Sequence, residues 1–347
     1  MHGVFSLEGM KPYGRVPAIA LIFLGLFVTL EMGYLAYLKT PHGAPASVLM
    51  QKKPRSFEEE KILWKEEINS NGGARSWNLF KELYGSGDGT DTHARAHIFG
   101  EALFNKEGVG GVAACDSTFG FGCYHSFFAK AIATQGPSVI SLLDKACVAR
   151  WGEKGLGCPH GIGHGILWYL GQDHLTDALA LCSQLSWKGP IGGCSSGVFM
   201  EFNFHTMETV EGASRKFDPI RPLSPCDTVS EQYRQSCYFE LPAWLETVLP
   251  EGYAKMSSLC EGVGGDIEKK TCFMGIGYTL ANHTTYSVEK SLAICATMPD
   301  AQLRLYCQEG AAWGFFVEPK EREKYPLLCN NLSEDKKKTC IAESQII

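Results

Sequence analysis

Histidine in this chain keeps phase with cysteine. In Cys123-Tyr124-His125 and in Cys158-Pro159-His160 the imidazole stands two residues after a cysteine. One period upstream, Asp91-Thr92-His93 repeats the pattern with aspartate in the cysteine position. His97 and His164 then follow their partners by four residues. On a helix, residues four apart share one face, so His93/His97 and His160/His164 read as two ligand-like pairs. Histidine pairs of this kind suit Zn or Cu, both of which accept imidazole. Imidazoles also carry protons near neutral pH. Haem is disfavoured, because no CxxCH attachment motif occurs. The candidate metal ligands are therefore His93, His97, His125, His160 and His164. Glu201 and His205, one unit on, are candidate acid/base or supporting groups. The plainer alternative is a histidine inherited with the repeat and bonded to a backbone carbonyl.

The elements that would position these side chains are set by sulfur. Fourteen cysteines fall into seven couples: Cys115 with Cys123, Cys147 with Cys158, Cys182 with Cys194, Cys226 with Cys237, Cys260 with Cys272, Cys295 with Cys307, and Cys329 with Cys340. Successive couples lie 32 to 36 residues apart, with one longer step of 43 or 44. A fixed period in this range marks stacked repeats, and an even cysteine count locked to it marks a disulfide framework. Within one unit, the apolar spacing predicts a helix from Cys158 to about Tyr169, a turn at Gly171-Gln172-Asp173, and a second helix from Leu175 to about Leu185. Each couple then joins the end of one helix to the start of the next, which by chain entropy contributes on the order of 2–3 kcal/mol.

Three residues after the second cysteine most units carry a small residue (Gly161, Gly197, Gly275, Gly310), with Ser126 and Glu240 departing. A packing role is expected there, since no strand precedes it as a nucleotide-binding loop requires. In the later units the histidine positions become Ser196 and Met200, Phe239 and Ala243, Met274 and Tyr278, Glu309 and Trp313. The array is thus polarised, histidine-rich in its first half and apolar in its second. The long step holds an inserted loop, residues 204–225, and insertions of this kind usually project from one face.

Net charge is −6, with Lys+Arg 32 against Asp+Glu 38, which argues against a nucleic-acid partner. Residues 16–38 form an apolar run whose single charge is Glu31, long enough to span a bilayer core. Lys11 and Arg15 precede it, as an uncleaved signal-anchor requires. Seven regular couples persist as disulfides only on the oxidising side of a membrane. The expected organisation is a short N-terminal segment (1–15), a transmembrane signal-anchor (16–38), a linker with a short helix (39–88) and an α-helical repeat domain (89–347). The bulk of this single-pass chain would lie on the periplasmic, extracellular or lumenal side.

This layout resembles the cysteine-rich Sel1-like, TPR-related helical repeat proteins over roughly residues 90–345, although only Cys115 and Cys123 have the seven-residue interval of that family. The resemblance implies a secreted or periplasmic scaffold that binds a protein or peptide partner. The fold expected is all-α: a disulfide-stapled solenoid of helical hairpins behind a membrane anchor. The leading functional expectation is a binding scaffold whose histidine cluster holds Zn or Cu. The alternatives are a metal- or histidine-dependent envelope enzyme and a metal-free assembly factor. No GxSxG, HExxH or P-loop motif favours a particular reaction.

Overall fold

The computed structural model describes residues 56–85, 89–152, 157–207, 215–249, 252–318, 320–330 and 332–343. The apolar run at 16–38 lies outside them. Among the described residues no helix is long and apolar enough to cross a membrane, and no strand occurs.

Helix α1 (Phe57–Asn71) starts where Ser56 accepts from the Glu59 N–H and the Glu59 carboxylate accepts from the Ser56 N–H. This reciprocal capping satisfies two of the donors a helix start leaves free. Helix α2 (Gly73–Tyr84) follows at once. Part of the stretch expected to be linker is therefore two packed helices. The reason is aromatic: Trp64, Trp77 and Phe80 are fully buried and converge on Phe99, with ring centroids 5.0–5.7 Å apart. Burying rings of this size holds both helices in place, where a single short helix within a linker was expected. The buried Glu60 carboxylate completes the attachment, accepting from Trp64 and Tyr84 and facing Arg95 at 3.4 Å.

The remaining helices alternate between two roles. A first series packs each member against the next: α3 (Gly89–Glu107), α4 (Gly122–Gln135), α6 (Cys158–Leu170), α8 (Cys194–Phe204), α9 (Glu231–Val248), α11 (Asp266–His283) and α13 (Ala301–Val317). A second series lies between them in sequence: α5 (Ile140–Trp151), α7 (Leu175–Cys182), α10 (Gly252–Glu261) and α12 (Val288–Cys295), with 3-10 turns at Gly108–Ala114 and Arg322–Cys329 taking the same place. Helix α14 (Glu334–Glu343) closes the described chain.

All seven cysteine couples are disulfides, in the pairing expected from their spacing, and no cysteine is free. Cys115 bonds Cys123, Cys147 bonds Cys158, Cys182 bonds Cys194 and Cys226 bonds Cys237. Cys260 bonds Cys272, Cys295 bonds Cys307 and Cys329 bonds Cys340. In three units, at Cys123, Cys158 and Cys194, the bridge ties the preceding segment to the beginning of the following helix. Three second members stand deeper: Cys237, Cys272 and Cys307 lie six residues into α9, α11 and α13, which open at Glu231, Asp266 and Ala301. Cys340 likewise lies six residues into α14, which opens at Glu334. These helices begin earlier than the cysteine phase suggests, so the later cysteines mark the second turn of a helix and not its start. The result is a repeat-like, all-helical array, with both series packed over buried Phe127, Leu143, Ile162, Ile166, Leu179 and Val198.

The glycine three residues after the second cysteine has a specific packing role. A Cβ on Gly197 would stand 1.9 Å from the His160 carbonyl oxygen, and one on Gly310 would stand 1.9 Å from that of Met274. The contacts are reciprocal: a Cβ on Gly163 would meet the Cys194 carbonyl at 2.1 Å, and one on Gly277 the Cys307 carbonyl at 1.9 Å. Helix α6 therefore touches α8, and α11 touches α13, backbone to backbone, an approach open only to residues without a side chain. Gly161 differs, because its Cβ would meet the rings of Phe128 and Tyr124 instead.

The expected second helix of the sample unit is shorter than its apolar spacing suggested. Helix α7 ends at Cys182, and the chain turns through 183–185 on the way to Cys194. Within the insertion, Arg215 and Phe217 lie against α9. The Arg215 guanidinium stacks 3.3 Å over the Trp244 ring, and the Trp244 indole N–H donates to the Arg215 carbonyl at 3.3 Å.

Candidate metal centre

Three consecutive helices of the first series bring all five candidate ligands together. His93 and His97 come from α3, His125 from α4, and His160 and His164 from α6. Ring centroids are 4.6 Å apart for His93/His97, 5.2 and 5.6 Å from these to His125, 4.5 Å for His125/His164 and 4.8 Å for His160/His164. Two triads result, His93/His97/His125 and His125/His160/His164, each offering three ligand nitrogens within 4.8 Å of one another. The helix spacing is what permits this. Gly100, nearly one turn after His97, would place a Cβ 2.2 Å from the Cys123 carbonyl, so α3 lies close against α4 just where the rings must meet.

Two rings are fixed from behind. His93 Nδ1 is 2.7 Å from the Phe119 carbonyl and donates to it, which turns Nε2 toward the cluster. The loop that carries this carbonyl is held in left-handed backbone at Phe119, Gly120 and Phe121 (φ 55°, 59° and 64°). Non-glycine residues adopt that region at a cost, and such strain gathers at functional sites. His164, fully buried, places Nδ1 3.1 Å from Glu201 Oε2 and 2.9 Å from Thr206 Oγ1. The Thr206 hydroxyl donates to the same carboxylate oxygen at 2.5 Å, and the Met207 N–H donates to Glu201 Oε1 at 3.3 Å. Histidines that bind metal are oriented in this way by a carbonyl or carboxylate on the far nitrogen.

The remaining nitrogens of the cluster are the unusual ones. His160 Nε2 and His164 Nε2 are 3.1 Å apart, the His160 N–H donating to His164, whose other nitrogen donates to Glu201. Two nitrogens on one tetrahedral zinc, each at about 2.0–2.1 Å, stand about 3.3 Å from each other. His97 Nε2, both nitrogens of His125 and His160 Nδ1 are buried and have no hydrogen-bond partner among the described residues. Each such buried polar atom costs on the order of 1–3 kcal/mol. Four in one cluster approach the whole net stability of a domain, about 5–15 kcal/mol. Burial also pushes the rings of His97, His125 and His160 well below the ordinary imidazole range, and repulsion from neighbouring rings adds to it. His93 is lowered too, chiefly by burial, against the raising effect of its bond to Phe119. These rings are therefore held neutral, with lone pairs free.

Glu201 joins the site, but His205 belongs to neither triad. It occupies a left-handed position (φ 48°) that ends α8 and turns the chain toward Thr206. Thr206 and the Phe119 carbonyl were not legible in the sequence. The threonine lies past the helix end, outside the periodic positions, and a carbonyl is the same for every residue type. No protein-family model, curated protein or solved structure matches the chain. Fold and site together define a helical, disulfide-rich protein with histidine clusters that could hold a metal ion.

Proposed function

We propose that this is a metal-holding binding protein of an oxidising, extracytoplasmic compartment, anchored through residues 16–38, whose disulfide-stapled solenoid presents a buried all-imidazole centre for Zn or Cu. The observation that carries the reading is the set of unpaired nitrogens of His97, His125 and His160, beside His93 and His164 that are tethered by their outer nitrogens. The donor chemistry narrows the ion. Imidazole alone, with no carboxylate in either triad, suits Zn and Cu and disfavours Mg, Ca and Mn. Seven disulfides support the oxidising compartment.

A binding role is preferred to an enzymatic one because of Glu201. Both oxygens of this fully buried carboxylate are engaged, by His164, Thr206 and the Met207 N–H. It positions a ring and is not poised toward a substrate. The test is elemental analysis of the full chain purified from an oxidising compartment. Zinc or copper should be present in stoichiometric amount, fall in the His160→Ala/His164→Ala double variant and be lost when His93 and His97 are replaced as well. A folded, fully disulfide-bonded protein that neither carries nor takes up either ion would remove the reading.

A further inference from the structure

The five histidines are distributed two, one, two over three successive helices. Helix α4 carries Ala129 at the position where α3 and α6 carry their second histidine, His97 and His164. A single ring, His125, is thereby left between two i,i+4 pairs. It is the one residue common to both triads, and its centroid lies 4.5–6.3 Å from those of the other four rings. It is also the one histidine whose two ring nitrogens are both buried and unpartnered among the described residues. An imidazole meant to serve one ion needs one inward nitrogen and usually anchors the other, as His93 and His164 do. His125 has no such anchor.

A single-ion centre fits this arrangement poorly. Zinc in an all-protein site takes four ligands, so one ion cannot use five rings. An ion held by either triad alone would leave the pair on the far side of His125 buried and unliganded. Two ions, one on each side, use every ring.

We propose that the cluster is a two-ion centre in which His125 is the bridging ligand, His93 and His97 completing one position and His160 and His164 the other. This rests on the reading that the cluster holds metal at all. Bridging requires both nitrogens of His125. Its remaining ring N–H bond breaks, the proton leaves to solvent, and two metal–nitrogen bonds form with no electron transferred. The other four rings bind as neutral imidazoles. Water or an exogenous anion completes each ion's coordination.

The experiment is a Cu2+ titration of the full, metal-stripped chain, followed by spin-quantified EPR and native mass spectrometry. The first equivalent should give the signal of one isolated copper. The second should bind and reduce the integrated signal, because an imidazolate bridge couples the two spins. In His125→Gln the stoichiometry should fall to at most one, while His93→Gln/His97→Gln should keep one ion with an uncoupled signal. Two ions whose signals simply add would overturn the bridge, and so would two ions bound by His125→Gln. Saturation at one ion would overturn the two-ion centre while leaving the metal-binding reading intact. No binding by the unsubstituted protein would sink both. The EPR readout on the unsubstituted chain needs no variant to fold.

Discussion

Replacing Gly197 by alanine tests whether the close approach of helices is what sets the proposed metal centre. The new Cβ would stand 1.9 Å from the carbonyl oxygen of His160, against 3.4–4 Å for ordinary van der Waals contact. Helices α6 and α8 must therefore part by roughly 1 Å or more. Tilting gives little relief, because Gly163 fixes a second point of contact 2.1 Å from the Cys194 carbonyl on the same Cβ measure. Overpacking of this kind costs typically about 1–3 kcal/mol. The residue displaced is itself a proposed ligand, and α8 carries Glu201, which holds His164 from behind. Binding geometries tolerate about 0.5 Å, and disturbing the group behind a ligand costs about 10–100-fold in affinity. Gly310→Ala is the matched control: its Cβ meets the Met274 carbonyl at the same 1.9 Å, between helices that carry no candidate ligand. Urea unfolding of the metal-free proteins should show both variants destabilised by about 2 kcal/mol. Zinc competition against a chelating indicator should show a loss of about tenfold or more in Gly197→Ala alone. Equal losses of affinity would mean that the centre follows global stability and not local helix placement. Unchanged stability in both would refute the backbone contact.

Glu240 gives a pH signature away from the histidines. Its fully buried carboxyl is pushed up from its ordinary 4.5 to about 8 by burial, against the lowering effect of the Ser196 hydroxyl that donates to it. A carboxyl raised in the folded state adds stability that is fully present below pH 4.5 and is lost as the pH rises to about 8. Glu240→Gln should abolish that loss, so its stability relative to the parent should rise by about 1.4 kcal/mol per pH unit across roughly pH 5–7.5. A constant difference in urea unfolding over this range would show that Glu240 ionises normally. Cys182–Cys194 and Cys295–Cys307 close loops of the same length, each with a sequence separation of 12. Converting either couple to serines should cost about 3 kcal/mol on the chain-entropy account. Similar losses from the two would mark them as equivalent staples, and a loss confined to one would show that the units are not interchangeable. Thiol titration of the unfolded, unreduced protein should find close to none, since every cysteine is bridged.

What the sequence revealed of this molecule was whatever recurs. A disulfide needs two cysteines at a loop-defined separation, so the couples could be read directly, and with them the places where helices are stapled. The histidines became legible through the same phase, because a position fixed relative to a bridged cysteine is also fixed in angle around its helix. What lies outside the period stayed hidden. The extra turn and a half that precedes Cys237, Cys272 and Cys340 belongs to charged segments with no periodic marker. The packing of α1 and α2 depends on Trp64, Trp77 and Phe80 meeting Phe99 from a different helix. Their spacing within 57–84 gives no sign of that partner. Of the groups behind His93 and His164, Glu201 was a sequence candidate, whereas the Phe119 carbonyl and Thr206 come from a strained loop and from the first residue after a left-handed helix end.

The second half of the array separates the requirements of the scaffold from those of the site. Phe239, Tyr278 and Trp313 take positions equivalent to those of the histidines and pack ring to ring, with centroids 4.6–5.3 Å apart. The glycine contacts between α11 and α13 match those between α6 and α8 almost atom for atom. The close approach of α6 to α8, where only α6 carries imidazoles of the cluster, thus recurs between helices that carry none of them. These three rings gain from burial and leave one polar atom, the Trp313 indole nitrogen, buried without a partner among the described residues. Five imidazoles placed there leave four nitrogens unpaired among the described residues, at a cost that packing does not return. The contrast supports the proposal that the histidine positions serve an ion rather than packing.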